Sequence, residues 1–319
     1  MLPDLAAIEA AAKIVHAVMP PTPSYSWPLL CARTGTDLWV KHENHAPTGA
    51  FKIRGGLVYM KALRSAQPSV DGVIAATRGN HGQSVAIAAS RHGLHPVIVV
   101  PQGNSREKNA AMRAQGAELV VYGSDFQEAL EYAASLAQNR SLHMIGSFDE
   151  QLIRGAATYG MEFLEAVPDL DTVYVPIGLG SGICGVIAAR DALDLHTEVV
   201  GVCAETAAAY ALSFEAGHPV STNSANTLAD GMACRVPAPD AVAIIHARAA
   251  RVVTVSDAEI EAAMRAYYTD THNIAEGAGA AALAALIKER SAMAGRRVGV
   301  VLSGGNIDRD IYLRVLSGN

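Results

Sequence analysis

From about residue 70 onward, short apolar runs alternate with longer segments in which apolar residues recur at helical spacing. The short runs are rich in β-branched residues and the long ones in alanine, as expected of buried strands and packed helices. Strands are predicted at 72–76, 96–100, 118–122, 143–145, 172–176, 198–202, 252–255 and 297–302. Helices are predicted at 5–18, 83–92, 105–115, 126–137, 182–193, 257–269 and 277–286. This alternation predicts an α/β fold with mostly parallel sheets.

Local signals support two of these helices. Ser256 precedes the helix at 257–269, and Glu259 stands three residues later, which is the spacing of a capping box. The run 277–286 is rich in alanine and carries no charge, so we expect a buried helix there.

Composition narrows the class of protein. The chain has 319 residues, of which 50% are hydrophobic and 18% charged, and this balance is too apolar for a disordered chain. The net charge of −6 and the lack of a Lys/Arg block exclude a basic surface for nucleic acid or for a membrane. No apolar run approaches the roughly 20 residues that span a bilayer, and the N-terminus lacks the pattern of a signal peptide.

The cysteines point to a reducing compartment. Cys31, Cys184, Cys203 and Cys234 lie far apart, without a Cys-x-x-Cys pair or a histidine at metal-ligand spacing. Neither a disulfide framework nor structural zinc is indicated, and a cytoplasmic location is expected.

Four segments carry candidate chemistry. Lys52 follows a Pro-Thr-Gly turn and Phe51, where a lysine could serve as a Schiff-base amine. Lysines near loops are usually solvated surface charges, so this interpretation depends on the three other segments. Each of these falls where a strand pattern gives way to a helix pattern: Thr77-Arg-Gly-Asn-His-Gly-Gln83, Gly178-Leu-Gly-Ser-Gly-Ile-Cys-Gly185 and Leu302-Ser-Gly-Gly-Asn306.

The glycine segment from Gly178 to Gly185 has three interpretations on its own. Its backbone amides and the following helix N-terminus could bind a phosphate, because both present unpaired N–H groups. The spacing of Gly180, Gly182 and Gly185 also satisfies the dinucleotide-binding fingerprint. A close-packed turn between strand and helix is the third alternative. A dinucleotide site would leave Lys52 and the asparagine-histidine loop unexplained.

Taken in order, the four segments resemble those of the fold-type II pyridoxal-phosphate enzymes, in the serine racemase and serine/threonine dehydratase branch. The resemblance extends from about residue 20 to about residue 308. It implies a fold like that of the tryptophan synthase β-subunit, with two three-layer α/β/α domains. Residues 1–68 plus 149–319 would form the large cofactor-binding domain, and residues 69–148 the small inserted one.

The resemblance also implies roles for individual residues. Lys52 would form the Schiff base with pyridoxal 5'-phosphate and later move the α-proton, so it is the catalytic candidate. The cofactor would be held by Phe51, Lys52, Asn80, Gly178, Leu179, Gly180, Ser181, Gly182, Glu276 and Ser303, with the serine at the pyridine nitrogen. The substrate would be held by Thr77, Arg78, Asn80, His81 and Gln83.

Two positions depart from the family pattern. Arg78 stands where racemases carry a catalytic serine, which argues against efficient racemisation. An arginine at this position could also bind an anionic or aromatic substituent of the substrate. A structural salt bridge is the alternative for Arg78. The family's divalent-metal site keeps Glu205 but has Ala211 in place of an aspartate, so no metal is predicted and Glu205 is only a weak candidate.

The predicted activity is therefore the dehydration of a 3-hydroxy amino acid of the L-threonine or L-serine type to a 2-oxo acid and ammonia. Dehydratases specific for threo-3-hydroxyaspartate or 3-phenylserine are the alternatives that Arg78 raises. Two alternatives belong to other functional classes: a nicotinamide-dependent dehydrogenase and a non-catalytic binding protein. We expect a small-molecule substrate, no nucleic-acid or membrane partner, and a homodimer or larger homo-oligomer.

Overall fold

The computed structural model describes residues 2–318, within which six strands form one sheet and four form a second. The strands are β1 (Ser24–Ser26), β2 (Asp37–His42), β3 (Gly72–Ala76), β4 (His95–Val100), β5 (Glu118–Val121), β6 (His143–Met144), β7 (Thr172–Pro176), β8 (Glu198–Ala204), β9 (Arg251–Val255) and β10 (Arg297–Leu302). The helices are α1 (Leu5–His16), α2 (Pro28–Thr34), α3 (Lys52–Ala66), α4 (Asn80–Arg91), α5 (Arg106–Ala114), α6 (Phe126–Asn139), α7 (Glu150–Ala166), α8 (Ser181–Ala192), α9 (Ala209–Ala216), α10 (Pro239–Arg248), α11 (Asp257–Thr271), α12 (Gly277–Lys288), α13 (Arg290–Met293) and α14 (Arg309–Ser317).

The large sheet has the order β1-β2-β10-β7-β8-β9, and all its strand pairs are parallel except β1 with β2. Because successive strand residues point to opposite faces, each face can build its own core. On β10, Val298 and Val300 pack in one apolar cluster with α11 and α12. Val301 packs in another cluster with α7 and α8. Helices therefore cover both faces of this sheet.

The small sheet, in the order β5-β4-β3-β6, is parallel throughout. On β3, Val73 and Ala75 pack in a cluster that includes residues of α3 and α4, whereas Ile74 and Ala76 pack in a cluster with α6. Two three-layer α/β/α units result. The predicted fold class is confirmed by this architecture and by the structural comparisons reported below.

The strands of the large sheet come from both sides of the chain segment that forms the small sheet, β3 to β6. Helices α1 and α3 precede that segment, yet Val15 of α1 and Leu57 of α3 join the apolar cluster of the small sheet. The domain division at 69–148 stays a prediction.

The predicted elements correspond closely to those observed. β3, β7 and β10 have the predicted bounds, and the remaining predicted strands and helices agree within three residues at either end. The Ser256–Glu259 capping box is present at the start of α11. Among the described residues, no helix is long and apolar enough to cross a membrane.

Candidate active site

The four candidate segments follow the carboxyl ends of parallel strands. β2, β10 and β7 are neighbours in the large sheet, and β3 lies in the small sheet. In open α/β folds this edge is where ligand clefts form. The segments border a shared cavity of about 760 Å³. Its wall includes Phe51, Lys52, Thr77, Arg78, Gly79, Asn80, His81, Gly178, Leu179, Gly180, Ser181, Gly182, Glu276 and Ser303.

Lys52 is the first residue of α3, and its amine faces the glycine loop. Its Nζ donates a hydrogen bond to Ser181 Oγ at 2.9 Å and lies 5.0 Å from the centroid of the Phe51 ring. Within residues 2–318 no carboxylate forms a salt bridge with it. Burial lowers the pKa of Lys52 to about 8, because the charged amine loses hydration. A substantial neutral fraction near physiological pH makes this amine a competent nucleophile and base.

A buried ion network fixes the start of α3. Arg54 is fully buried and donates to Glu43 at 2.8 and 3.0 Å and to Glu162 at 2.6 and 2.8 Å. Glu162 also accepts from Lys41 at 2.6 Å. Since two carboxylates balance two cations here, the charges are paired as burial requires. The network joins α3, α7 and β2 two residues after Lys52.

The glycine loop joins β7 to the first turn of α8. Gly180 has φ +96°, a left-handed conformation that disfavours other residues. A Cβ at Gly178 would stand 2.3 Å from the carbonyl oxygen of Gly231, and one at Gly182 would stand 3.2 Å from Phe51 Cζ. Glycine at these two positions therefore lets Gly231 and Phe51 lie close to the loop backbone. Unpaired amides at the N-terminus of α8 make it suitable for an anion.

Asn80 links the small sheet to the end of β10. Its Nδ2 donates to Glu276 Oε1 at 2.5 Å, and its Oδ1 accepts from Asn306 Nδ2 at 2.9 Å. Asn306 Nδ2 also donates to the Thr48 carbonyl at 2.7 Å. Asn306 belongs to the Ser-Gly-Gly-Asn segment, but sequence reasoning assigned it no role. The network holds the Asn80 amide at the cavity wall.

Lys108 is a site residue that the sequence analysis missed. Its Nζ contacts Asp230 at 2.7 Å and Glu276 at 3.1 Å, and its side chain is 5% exposed. Burial favours the neutral amine, but the two carboxylates outweigh it and raise the pKa of Lys108. Burial also raises the pKa of Glu276, although Lys108 opposes this. No sequence pattern indicated this cluster, because the sequence of α5 is rich in charged residues, as is typical of a solvent-exposed helix.

The loop between β3 and α4 supplies polar groups at the cavity. Thr77 Oγ1 accepts from the Gly79 amide at 3.0 Å, which holds the turn. Burial, with a smaller contribution from the Lys52 charge, lowers the pKa of His81 to about 3, so this imidazole is neutral. Arg78 lines the same cavity, and its Nε is buried without a hydrogen-bond partner among the described residues.

Gln83 is the predicted substrate residue that does not line this cavity. It borders a separate cavity of about 320 Å³ together with Lys108 and Asn306. The residue lies within the first turn of α4, after Asn80 and His81, which do border the main cavity. The geometry therefore offers no support for contact between Gln83 and a ligand beside Lys52.

Ser303 lies at the end of β10, where the predicted pyridine contact would require it. It is buried and borders the main cavity. Its carbonyl accepts from the Phe51 amide at 3.1 Å, and the next residue, Gly304, forms an antiparallel bridge with Ala50. These contacts hold the Ser303 segment beside Phe51 and Lys52.

Glu205 lies away from these groups and pairs with Lys288 at 3.3 Å. Lys288 also pairs with Glu259 at 3.3 Å. In the described part of the chain, no group of three or more histidine, cysteine, aspartate or glutamate side chains is placed to hold a metal ion.

The residues present fit pyridoxal phosphate. An aldehyde needs a neutral amine, which the desolvated Lys52 provides. A phosphate needs unpaired amides, which the glycine loop and the start of α8 present beside Ser181. The cavity between them is bordered by the Phe51 ring, the Asn80 amide and the Ser303 hydroxyl. These groups supply apolar and hydrogen-bonding contacts for an aromatic ring.

Comparisons with known proteins agree with this fit. Residues 17–304 match the family model described as pyridoxal-phosphate dependent enzyme. The L-threonine ammonia-lyase of Geobacter sulfurreducens is 37% identical over 279 residues, which are 86% of this chain and 69% of that protein. The processed threonine deaminase isoform 2 of Solanum lycopersicum is 30% identical, with a TM-score of 0.88 over 99% of this chain and 94% of that one.

A second solved threonine deaminase, from T.th., is 31% identical and superimposes with a TM-score of 0.89 over 96% of this chain and 99% of that one. The family model thus spans every described strand of both sheets and reaches Gly304 in the last candidate segment. The chain belongs to the fold-type II pyridoxal-phosphate dependent enzymes, in the serine/threonine dehydratase-like family.

Proposed function

We propose that the chain dehydrates a 3-hydroxy amino acid of the L-threonine or L-serine type, giving a 2-oxo acid and ammonia. The observation that carries this proposal is the state of the Lys52 amine, which is buried and has no carboxylate partner among the described residues. It lies 2.9 Å from Ser181 Oγ at the glycine loop. Relatives named L-threonine ammonia-lyase match 86% and 89% of this chain and support the choice of substrate.

We propose Lys52 as the catalytic residue. The cofactor would be held by Phe51, Asn80, Glu276, Ser303 and the loop 178–182. The substrate would be held by Thr77, Arg78, Asn80 and His81. The cleft would lie between a large domain, residues 1–68 plus 149–319, and a small domain, residues 69–148. Assembly into a homodimer or larger homo-oligomer and a cytoplasmic location remain predictions.

Each group in the cleft has a distinct task in this reaction. Pyridoxal phosphate, when bound, withdraws electrons from the carbon that bears the substrate amino group. Lys52, with its pKa lowered to about 8, can accept the proton from that carbon. The unpaired amides at the start of α4, beside Asn80 and His81, can hold the substrate carboxylate. His81 is neutral at physiological pH and can donate without adding charge.

Product analysis tests the proposed function. The protein saturated with pyridoxal phosphate should convert L-threonine to 2-oxobutanoate, or L-serine to pyruvate, with one ammonia released per oxo acid. No nicotinamide cofactor should be required. Substrate-dependent reduction of a nicotinamide would favour the dehydrogenase alternative, and the absence of products from every hydroxy amino acid would exclude the dehydratase.

Ser303→Ala should lower kcat about tenfold while the cofactor stays bound. A neutral hydrogen bond contributes roughly 0.5–1.5 kcal/mol, and about 1.4 kcal/mol corresponds to a tenfold change in rate. The glycine loop should retain the cofactor independently. Ser147→Ala, which changes another serine of the cavity wall, is the control and should keep its activity. Full activity of Ser303→Ala would show that the ring contact is assigned to the wrong residue.

A further inference from the structure

The charged side chains of the main cavity are paired, with two exceptions. Within the described residues that line it, they are Lys52, Arg78, Lys108, Asp125, Asp230, Arg235 and Glu276. Lys108 pairs with Asp230 and Glu276, and Arg235 pairs with Asp125 at 3.3 Å. Lys52 and Arg78 form no ion pair there. All three carboxylates of the cavity wall are therefore engaged elsewhere.

The two unpaired cations differ in what they need. Lys52 can lose its charge, and in the proposed function its amine binds the cofactor. Arg78 carries a guanidinium, which has five N–H donors and no acceptor. Its Nε is buried without an acceptor among residues 2–318, which costs free energy unless a ligand supplies one. A guanidinium presents its donors as a flat fork, which matches the two oxygens of a carboxylate.

The substrate's α-carboxylate has another binding position. The amides of Asn80, His81 and Gly82 lie in the first turn of α4, where no intrahelical acceptor is available. The helix dipole adds favourable potential for an anion at this end. With the α-carboxylate held there, Arg78 on the adjoining loop remains free for a second anionic group.

Resting on the proposed function, we infer that Arg78 binds a second carboxylate, carried on the substrate's β-carbon. The preferred substrates are then dicarboxylic 3-hydroxy amino acids, of which 3-hydroxyaspartate is the smallest. A structural salt bridge was the alternative role for Arg78, and none is present among the described residues. Arg235 of the same cavity, by contrast, forms an ion pair with Asp125.

The test compares kcat/KM for L-serine, L-threonine, threo-3-hydroxyaspartate and 3-phenylserine in the wild-type holoenzyme, Arg78→Ala and Arg78→Lys. Wild type should prefer 3-hydroxyaspartate. Arg78→Ala should lose about ten- to a hundredfold on it, with little change on serine. Arg78→Lys should recover part of the loss. Arg91→Ala, which removes an exposed arginine at the end of α4, is the control and should leave all four values unchanged.

Binding without turnover separates this inference from the proposed function. Succinate should raise the melting temperature of the wild-type holoenzyme more than butyrate does, and Arg78→Ala should abolish that difference. Equal losses on all four substrates would place Arg78 at the α-carboxylate and would overturn the inference. A wild-type preference for 3-phenylserine would also overturn it. If no hydroxy amino acid is converted, the proposed function fails, while the succinate comparison still decides the role of Arg78.

Discussion

Lys52→Ala should abolish essentially all turnover, with a fall in kcat of at least about 10³-fold. The substitution removes both the amine that bonds the cofactor and the base that moves the α-proton, and base catalysis alone contributes roughly 10²–10⁴-fold. The change is local, because the start of α3 is held by Arg54 and its two glutamates. Steady-state oxo-acid production, with an absorbance spectrum of each purified protein, measures the effect.

Lys61→Ala is the matched control for this variant. Lys61 lies on the same helix but is exposed, so its loss should change neither the spectrum nor kcat. An unaltered visible band in Lys52→Ala, or turnover within tenfold of wild type, would show that another lysine performs the chemistry.

Gly178→Ala should weaken cofactor binding by about ten- to a hundredfold. The new Cβ would stand 2.3 Å from the carbonyl oxygen of Gly231, a backbone atom that cannot rotate away. Overpacking of this kind costs roughly 1–3 kcal/mol, and its relief requires the glycine loop or the Gly231 segment, which both line the cavity, to shift. Equilibrium titration of the apoprotein with pyridoxal phosphate gives the change in Kd.

Gly146→Ala tests whether the clash, rather than any added methyl group, causes that loss. Gly146 borders the same cavity, but a Cβ there meets only the Phe148 carbonyl oxygen at 3.8 Å. This variant should bind the cofactor with nearly wild-type affinity. If both variants lost affinity equally, the loop from Gly178 would not be the anion site.

Sequence periodicity predicted the buried strands well where apolar residues are continuous. β3, β7 and β10 have fully or almost fully buried apolar side chains, and the pattern located their ends. It missed β2, whose Lys41 and His42 are buried yet polar. The partner of Lys41 is Glu162, 121 residues away, and such long-range pairing leaves no local pattern.

The same reason limits what the sequence could say about the site. Lys52, Asn80, Ser303 and the glycine loop stand in short segments with characteristic spacing, and the structure brings them to one cavity. Lys108 and Asp230 are 122 residues apart and lie in segments that read as ordinary surface. Only the folded chain shows that they meet beside Glu276.

Gln83 illustrates a different limit. Its position in the Gly-Asn-His-Gly-Gln segment suggested a substrate contact, but successive residues of a helix point in different directions around its axis. In α4 it borders the smaller cavity with Lys108, while Asn80 and His81 border the main one. Its contact with the substrate stays a prediction.

Reduction with borohydride followed by peptide mapping tests the central claim most directly. The protein loaded with pyridoxal phosphate should lose its visible absorbance on reduction, and a single pyridoxyl label should be found on the peptide containing Lys52. Substrate added before reduction should protect that lysine. A label on any other lysine, or no label at stoichiometric cofactor, would contradict the assignment of Lys52 and the mechanism built on it.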